Sequence, residues 1–121
     1  MANTFKVVTF AAEPNSAGTP YVVYTAGSGV TTVVLGLILT NINTAQVTAE
    51  VELVSDTGNR GGSNDVTNGT AFLAKDIPIP VGSSVELLSG NKVVLEATDT
   101  LTASSDTNAS LDVALTVLEI T

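Results

Sequence analysis

Thr31 to Leu53, TTVVLGLILTNINTAQVTAEVEL, constrains the fold more than any other stretch of the chain. In its second half Val47, Ala49, Val51 and Leu53 alternate with Gln46, Thr48, Glu50 and Glu52. A period of two puts every apolar group on one face, the pattern of a half-buried antiparallel strand. The first half is apolar on both faces, with Val33, Leu35, Leu37 and Leu39 on one side and Val34, Ile38 and Ile42 on the other. A strand of that kind is covered twice. Asn41 to Ala45 reads as a hairpin loop folding the two halves back on each other. Straight, Thr31 to Ile42 would span about 40 Å at ~3.4 Å per residue. A domain of this size has a radius of gyration near ~14 Å, so the strand must bend, and Gly36 at its middle is the expected bulge or kink.

The rest of the chain repeats the strand–turn alternation. Thr4 to Ala11 is a first strand, ended by the turn cluster Glu13 to Gly18. Tyr21 to Thr25 follows Pro20, which donates no ladder hydrogen bond, so an edge strand is predicted. After Val54 the Ser55 to Gly69 stretch has four glycines and one apolar side chain, and reads as a flexible tip or a contact loop. Thr70 to Lys75 is a strand, and Ile77-Pro78-Ile79-Pro80 is extended chain that lies on an edge or crosses between sheets. Ser84 to Leu88 and Lys92 to Ala97 flank Ser89-Gly90-Asn91, a tight hairpin signal. Thr100 to Ser104 and Ser110 to Ile120 complete the set, the last with Leu111, Val113, Leu115 and Val117 on one face. No 3.6-period segment is long enough for a helix. Eight or nine short strands predict an all-β protein, an antiparallel β-sandwich or jelly roll, formed by residues 1–121 as a single domain. The 18 Thr and 17 Val, branched at Cβ, point the same way.

Composition narrows the chemistry. With no His and no Cys, imidazole bases, thiol nucleophiles, disulfides and thiolate or imidazole metal sites are excluded. The net charge of −8, with only Lys6, Arg60, Lys75 and Lys92 positive, repels phosphate backbones, so no nucleic-acid partner is expected. MANTFK has one Lys and no long apolar core behind it, and the longest apolar run, Val33 to Leu39, falls short of the ~20 residues of a spanning helix. A soluble protein without a signal peptide or membrane partner is therefore expected. Charged residues are 13% of the chain against roughly a quarter in ordinary domains, so much of the surface must be Thr, Ser, Asn and Gly.

Glu50 and Glu52 lie on one strand face about 7 Å apart, within reach of acid–base work, but alternating Glu on a solvated strand is the better reading. Asp56, Asn59 and Asp65 could collect a calcium ion, yet their spacing matches no loop motif. Gly58 to Gly62 lacks the helix and the Lys-Ser/Thr pair of a phosphate cradle, and Asn68-Gly69-Thr70 and Asn108-Ala109-Ser110 match a glycosylation sequon without a secretion signal. No catalytic residue, cofactor or metal site is predicted. The second apolar face is more informative: Val34, Ile38 and Ile42, with Leu118 and Ile120, would meet water in a two-layer sandwich. Either the N-terminal strand or a phase-flipping bulge at Gly36 covers them, or they form an interface with another subunit.

MANTFK, the TTVVLGLILTNI strand, the AFLAKDIPIPVGSSVELLSGNKVVLEATDTLTASS run and the closing SLDVALTVLEIT together resemble small structural proteins from virions of tailed phages, notably those of marine cyanobacteria. The resemblance covers most of the chain and carries over no functional residue. It implies a capsid decoration (cement) protein with no enzyme activity, made in the host cytoplasm and bound to the major capsid protein on the outer capsid surface. A homo-oligomer is expected, a trimer being one form. The alternatives are a tail, neck or baseplate adaptor and, more weakly, a carbohydrate-binding module of a fibre, for which only Tyr21 and Tyr24 could supply stacking surfaces.

Overall fold

The computed structural model describes residues 2–55, 57–58, 68–88 and 92–121. Among the described residues nine strands are formed: β1 (Asn3–Glu13), β2 (Tyr21–Thr25), β3 (Thr31–Asn41), β4 (Val47–Val54), β5 (Thr70–Ile79), β6 (Ser84–Leu87), β7 (Val93–Leu95), β8 (Thr100–Ser105) and β9 (Leu111–Ile120). They make two antiparallel sheets, one in the order β1-β9-β3-β6 with β7 also on β3, the other β2-β8-β4-β5. The protein is an all-β sandwich, as the strand count and turn spacing predict.

The core is the space between the sheets. Leu111, Val113, Leu115 and Val117 of β9 face Val47, Ala49 and Val51 of β4 and Leu101 and Ala103 of β8, all buried. These are the residues that the period of two singled out in β4 and β9. Phe10 and Tyr21 meet edge to face at 5.8 Å and fill the gap between the edge strands β1 and β2, a geometry that sets a positive ring edge against a negative ring face.

Gly36 does mark a bulge. Val34 pairs with Val117 and Gly36 with Thr116, so Leu35 is an extra residue and the strand changes phase there. Thr32 and Val34 point inward before it, Leu37 and Leu39 after it. This corrects the sequence reading at two points. Val34, expected on the outer face, is in the core with no exposed surface, while Val33 and Leu35, expected inside, are half-buried on the outside.

The pairing of β3 with β4 is a second correction. They lie in different sheets, and Asn41 to Ala45 forms an arch between them rather than a hairpin loop. Asn41, 2% exposed, holds the arch: its Nδ2 donates to the carbonyls of Ile79 (2.8 Å) and Ala45 (3.0 Å), and its Oδ1 accepts from Asn43 N–H (2.8 Å). The third correction concerns β6 and β7. They do not pair with each other as a hairpin; both lie antiparallel along β3, Leu37–Thr40 against Ser84–Leu87 and Thr32–Val34 against Val93–Leu95. Together they form one interrupted edge strand. Ser89, Gly90 and Asn91 lie outside the described residues. The proline-based expectations hold: β2 and β5 are the two edges of the four-stranded sheet, and the chain crosses to the other sheet after Pro80.

Candidate docking face

Residues paired directly across antiparallel strands share a face, so the register shows what each outer surface presents. On the five-stranded sheet, Phe5 pairs with Leu118, Leu118 with Val33, and Val33 with Val94. One row across four strands is thus entirely apolar, about 14 Å wide at ~4.8 Å between strands. Phe5 is 72% exposed and Val94 51%. Ile120 flanks the row on one side; on the other runs Val7 (68% exposed) with Gly36 and exposed Thr116, and beyond that the row Thr9, Ala114, Ile38 and Glu86. Small Ala114 between Ile38 and Thr9 leaves an open groove of about 390 Å³, closed at one end by Thr40 and Asp112. Among the strand residues paired on this face the charged groups are Glu86 and Asp112, both towards that end, and Asp112 Oδ1 is occupied by the Ala12 N–H at 2.9 Å; exposed Lys92 lies just before β7.

The other sheet presents a different surface. Its corresponding row is Val22, Thr102, Glu52 and Phe72, polar at the centre. Glu50 stands two residues along from Glu52 and is paired with Lys75 at 3.5 Å, and the Lys75 ammonium covers the Phe72 ring at 4.5 Å. Glu50 and Glu52 therefore occupy the solvated position expected of them. The row on this sheet is thus polar at its centre and apolar only at its ends, Val22 and Phe72, whereas the row on the five-stranded sheet is apolar throughout.

Of the residues expected at an interface, Ile38, Leu118 and Ile120 lie on the same face, Ile38 two rows from Leu118, and Ile42 is exposed just beyond the end of β3. Val34 does not, because of the bulge. Phe5, Val7 and Val94 were missed. In β1 both alternating sets are largely apolar, and Lys6 would ordinarily be read as the outward residue. Instead Lys6 pairs with core-facing Val117 and escapes through the open rim between the sheets. There its Nζ meets Glu119 Oε1 at 2.8 Å, and Glu119 also accepts the Tyr24 hydroxyl from the opposite sheet. The Lys6 hydrogen bond, then that of Tyr24, holds the Glu119 carboxyl below the usual range, and the Lys6 ammonium is raised in return. Tyr24, which also reaches Thr32 Oγ1 at 3.1 Å, is raised first by burial and then by Glu119.

Among the described residues no group of three or more acidic side chains is placed to hold a metal ion, and no helix is long and apolar enough to cross a membrane. Asp56, Asn59 and Asp65 lie outside the described residues.

No family model matches the chain, and no curated protein matches it. Among solved structures, the chain is similar to one in the icosahedral particle of infectious bursal disease virus, with a TM-score of 0.57 at 11% identity over 97% of this chain and 30% of that one. A chain from the Gx strain of the same virus aligns with a TM-score of 0.50 at 12% identity, over 96% of this chain and 32% of its own. At such identity the likeness is one of fold, and the chain spans about a third of those viral chains. A chain of the disulfide-linked pili of Bacillus endospore appendages aligns over 99% of this chain and 87% of its own, at 16% identity and a TM-score of 0.47.

Proposed function

We propose that the chain is a non-enzymatic structural protein of a phage virion, a capsid decoration (cement) protein that docks through the outer face of its five-stranded sheet onto the outside of the major capsid protein lattice, as a homo-oligomer. The apolar row Phe5, Leu118, Val33 and Val94 carries the reading. A contiguous exposed apolar surface on one side of a small domain marks an interaction site rather than a solvated one. Support comes from the similar fold in chains of a viral particle, and from a net charge of −8 that suits the exterior of a shell better than its genome-facing interior. A clamp repeated many times over a lattice needs only a modest interface at each site.

The test is binding of purified protein to shells stripped of it. Val94→Asp and Ile38→Asp place a charge on the face at partly exposed positions, and should abolish binding while leaving the melting temperature within a few degrees of the parent. Shell binding undiminished in both variants would overturn the proposal, as would cryo-microscopy density confined to the tail tip or neck, which would make the chain an adaptor.

A further inference from the structure

A two-sheet sandwich has four edges, and each is a row of unpaired N–H and C=O groups that proteins ordinarily blunt. Three are blunted here. β2 is five residues long, follows Pro20 and shifts register between Val22 and Tyr24. β5 carries Pro78, the ion-pairing Lys75, and Asp76 at a φ of 50°. The edge beyond β3 is broken between Leu87 of β6 and Val93 of β7. The fourth, β1, is blunted only at its end, where the register shifts past Phe10 and Ala12 has a φ of 55°. From Asn3 to Phe10 it keeps unbroken register with β9, contains no Pro, and holds a single charge, Lys6, which is drawn off to Glu119. It is also free of acidic residues until Glu13, in a chain with 12 acidic and four basic residues. Two copies repel over most of their surfaces; at β1 they do not.

We infer that β1 pairs antiparallel with β1 of a second copy, about a two-fold axis perpendicular to the sheet and passing through Val7. A perpendicular axis preserves the two faces, so it must pass through a residue rather than between residues. Centring on Lys6 would set like charges directly opposite each other, which is unfavourable, and centring on Val8 pushes the pairing into the bulge between Phe10 and Glu13. Centring on Val7 pairs Thr4 to Phe10 with Phe10 to Thr4 of the partner. The exposed Val7 side chains then cover each other, and each Phe5 lies opposite the partner's Thr9, at the mouth of the groove beside Ala114 and Ile38. The two five-stranded sheets become one. Both apolar faces point the same way, so the dimer offers two coplanar docking faces. That functional consequence rests on the proposed docking role; the pairing itself does not.

The experiment is sedimentation and light scattering of the full chain, with two variants. The parent should weigh twice its 12.3 kDa. Val7→Lys sets two ammonium groups across the axis at a position already exposed in one copy; it should weaken self-association at least tenfold without lowering the melting temperature of the dilute protein. Val7→Cys, in a chain with no other cysteine, should cross-link to a dimer under mild oxidation, whereas Val94→Cys at the far end of the same face should not. A monomeric or trimeric parent, self-association insensitive to Val7→Lys, or equal cross-linking of the two cysteine variants would each overturn the inference. A monomer that still binds shells refutes the pairing, and with it the oligomeric form of the docking protein, but not the docking role; a dimer that binds none refutes the docking role alone.

Discussion

Asn41 should be the costliest polar side chain in the molecule to remove. Asn41→Ala deletes three hydrogen bonds, to the carbonyls of Ile79 and Ala45 and from the N–H of Asn43. Each is worth about 1 kcal/mol net, and the orphaned Ile79 carbonyl, in a fully buried setting, sits at the upper end of the range. The sum is about 3 to 4 kcal/mol. In urea, with a slope of roughly 1.5 to 2 kcal/mol per molar, the midpoint should fall by about 2 M; the melting temperature should drop by more than ~10 °C. Asn41→Asp keeps the acceptor but loses both donors and buries a carboxylate facing two carbonyls, so it should be at least as damaging at neutral pH. Asn43→Ala, which removes an acceptor for the exposed Thr44 N–H, is the control and should cost under ~1 kcal/mol. If Asn41→Ala costs no more than that control, the arch is held by apolar packing alone and the account of how the sheets are joined is wrong.

Tyr21 has a buried hydroxyl with no hydrogen-bond partner among the described residues, and burial, with the Glu13 charge behind it, pushes its pKa well up; Tyr21→Phe should therefore stabilise by about 1 kcal/mol, and a loss of stability in denaturant would show a missed partner. The Glu119 pKa lies below its ordinary 4.5 in the folded state, so its contribution is present above that pH and is lost as pH falls through the folded value. Glu119→Gln should flatten the acid limb of the stability curve, and an unchanged limb would assign acid sensitivity elsewhere, with Asp106, lowered by the Thr48 N–H, the next group to test. At Gly36 a Cβ would meet no heavy atom within 4 Å, so Gly36→Ala should be neutral or slightly stabilising; Gly82, at a φ of 72°, should lose about 1 kcal/mol on the same change. EDTA should leave the melting temperature unchanged, and a large fall would point to the acidic residues Asp56 and Asp65.

Periodicity told which face of a strand is buried, and it did so well where one face is polar, as in β4 and β9. It carries no information on which sheet a strand joins, which is why β3 and β4 read as a hairpin when they belong to opposite layers. Turn chemistry has a similar limit. Ser89-Gly90-Asn91 suits a reversal, yet β3, eleven residues long, needs cover along its whole outer edge, and β6 and β7 supply it end to end. Pro20 and Pro78 were legible because a missing N–H excludes central positions whatever the tertiary context. The docking face was half legible: Ile38, Leu118 and Ile120 fall on it by alternation, but the Leu35 insertion withdrew Val34, and Lys6 hid the outward set of β1 by occupying an inward position at the rim.

The pairing of β1 with β9 has a consequence for biosynthesis. In ribosomal order β1 emerges early, and its ladder partner begins only at Leu111, about 100 residues after Glu13 leaves off. At roughly 5 to 20 residues per second, a largely apolar strand, its only charges Lys6 and Glu13, waits some 5 to 20 seconds with both edges bare. Overexpression, where several nascent chains share a crowded volume, should therefore favour capture of this segment by other chains before its own last strand arrives. Slower growth at lower temperature, or a chaperone that holds extended apolar segments, should raise the soluble yield more than any change made in the folded protein's core.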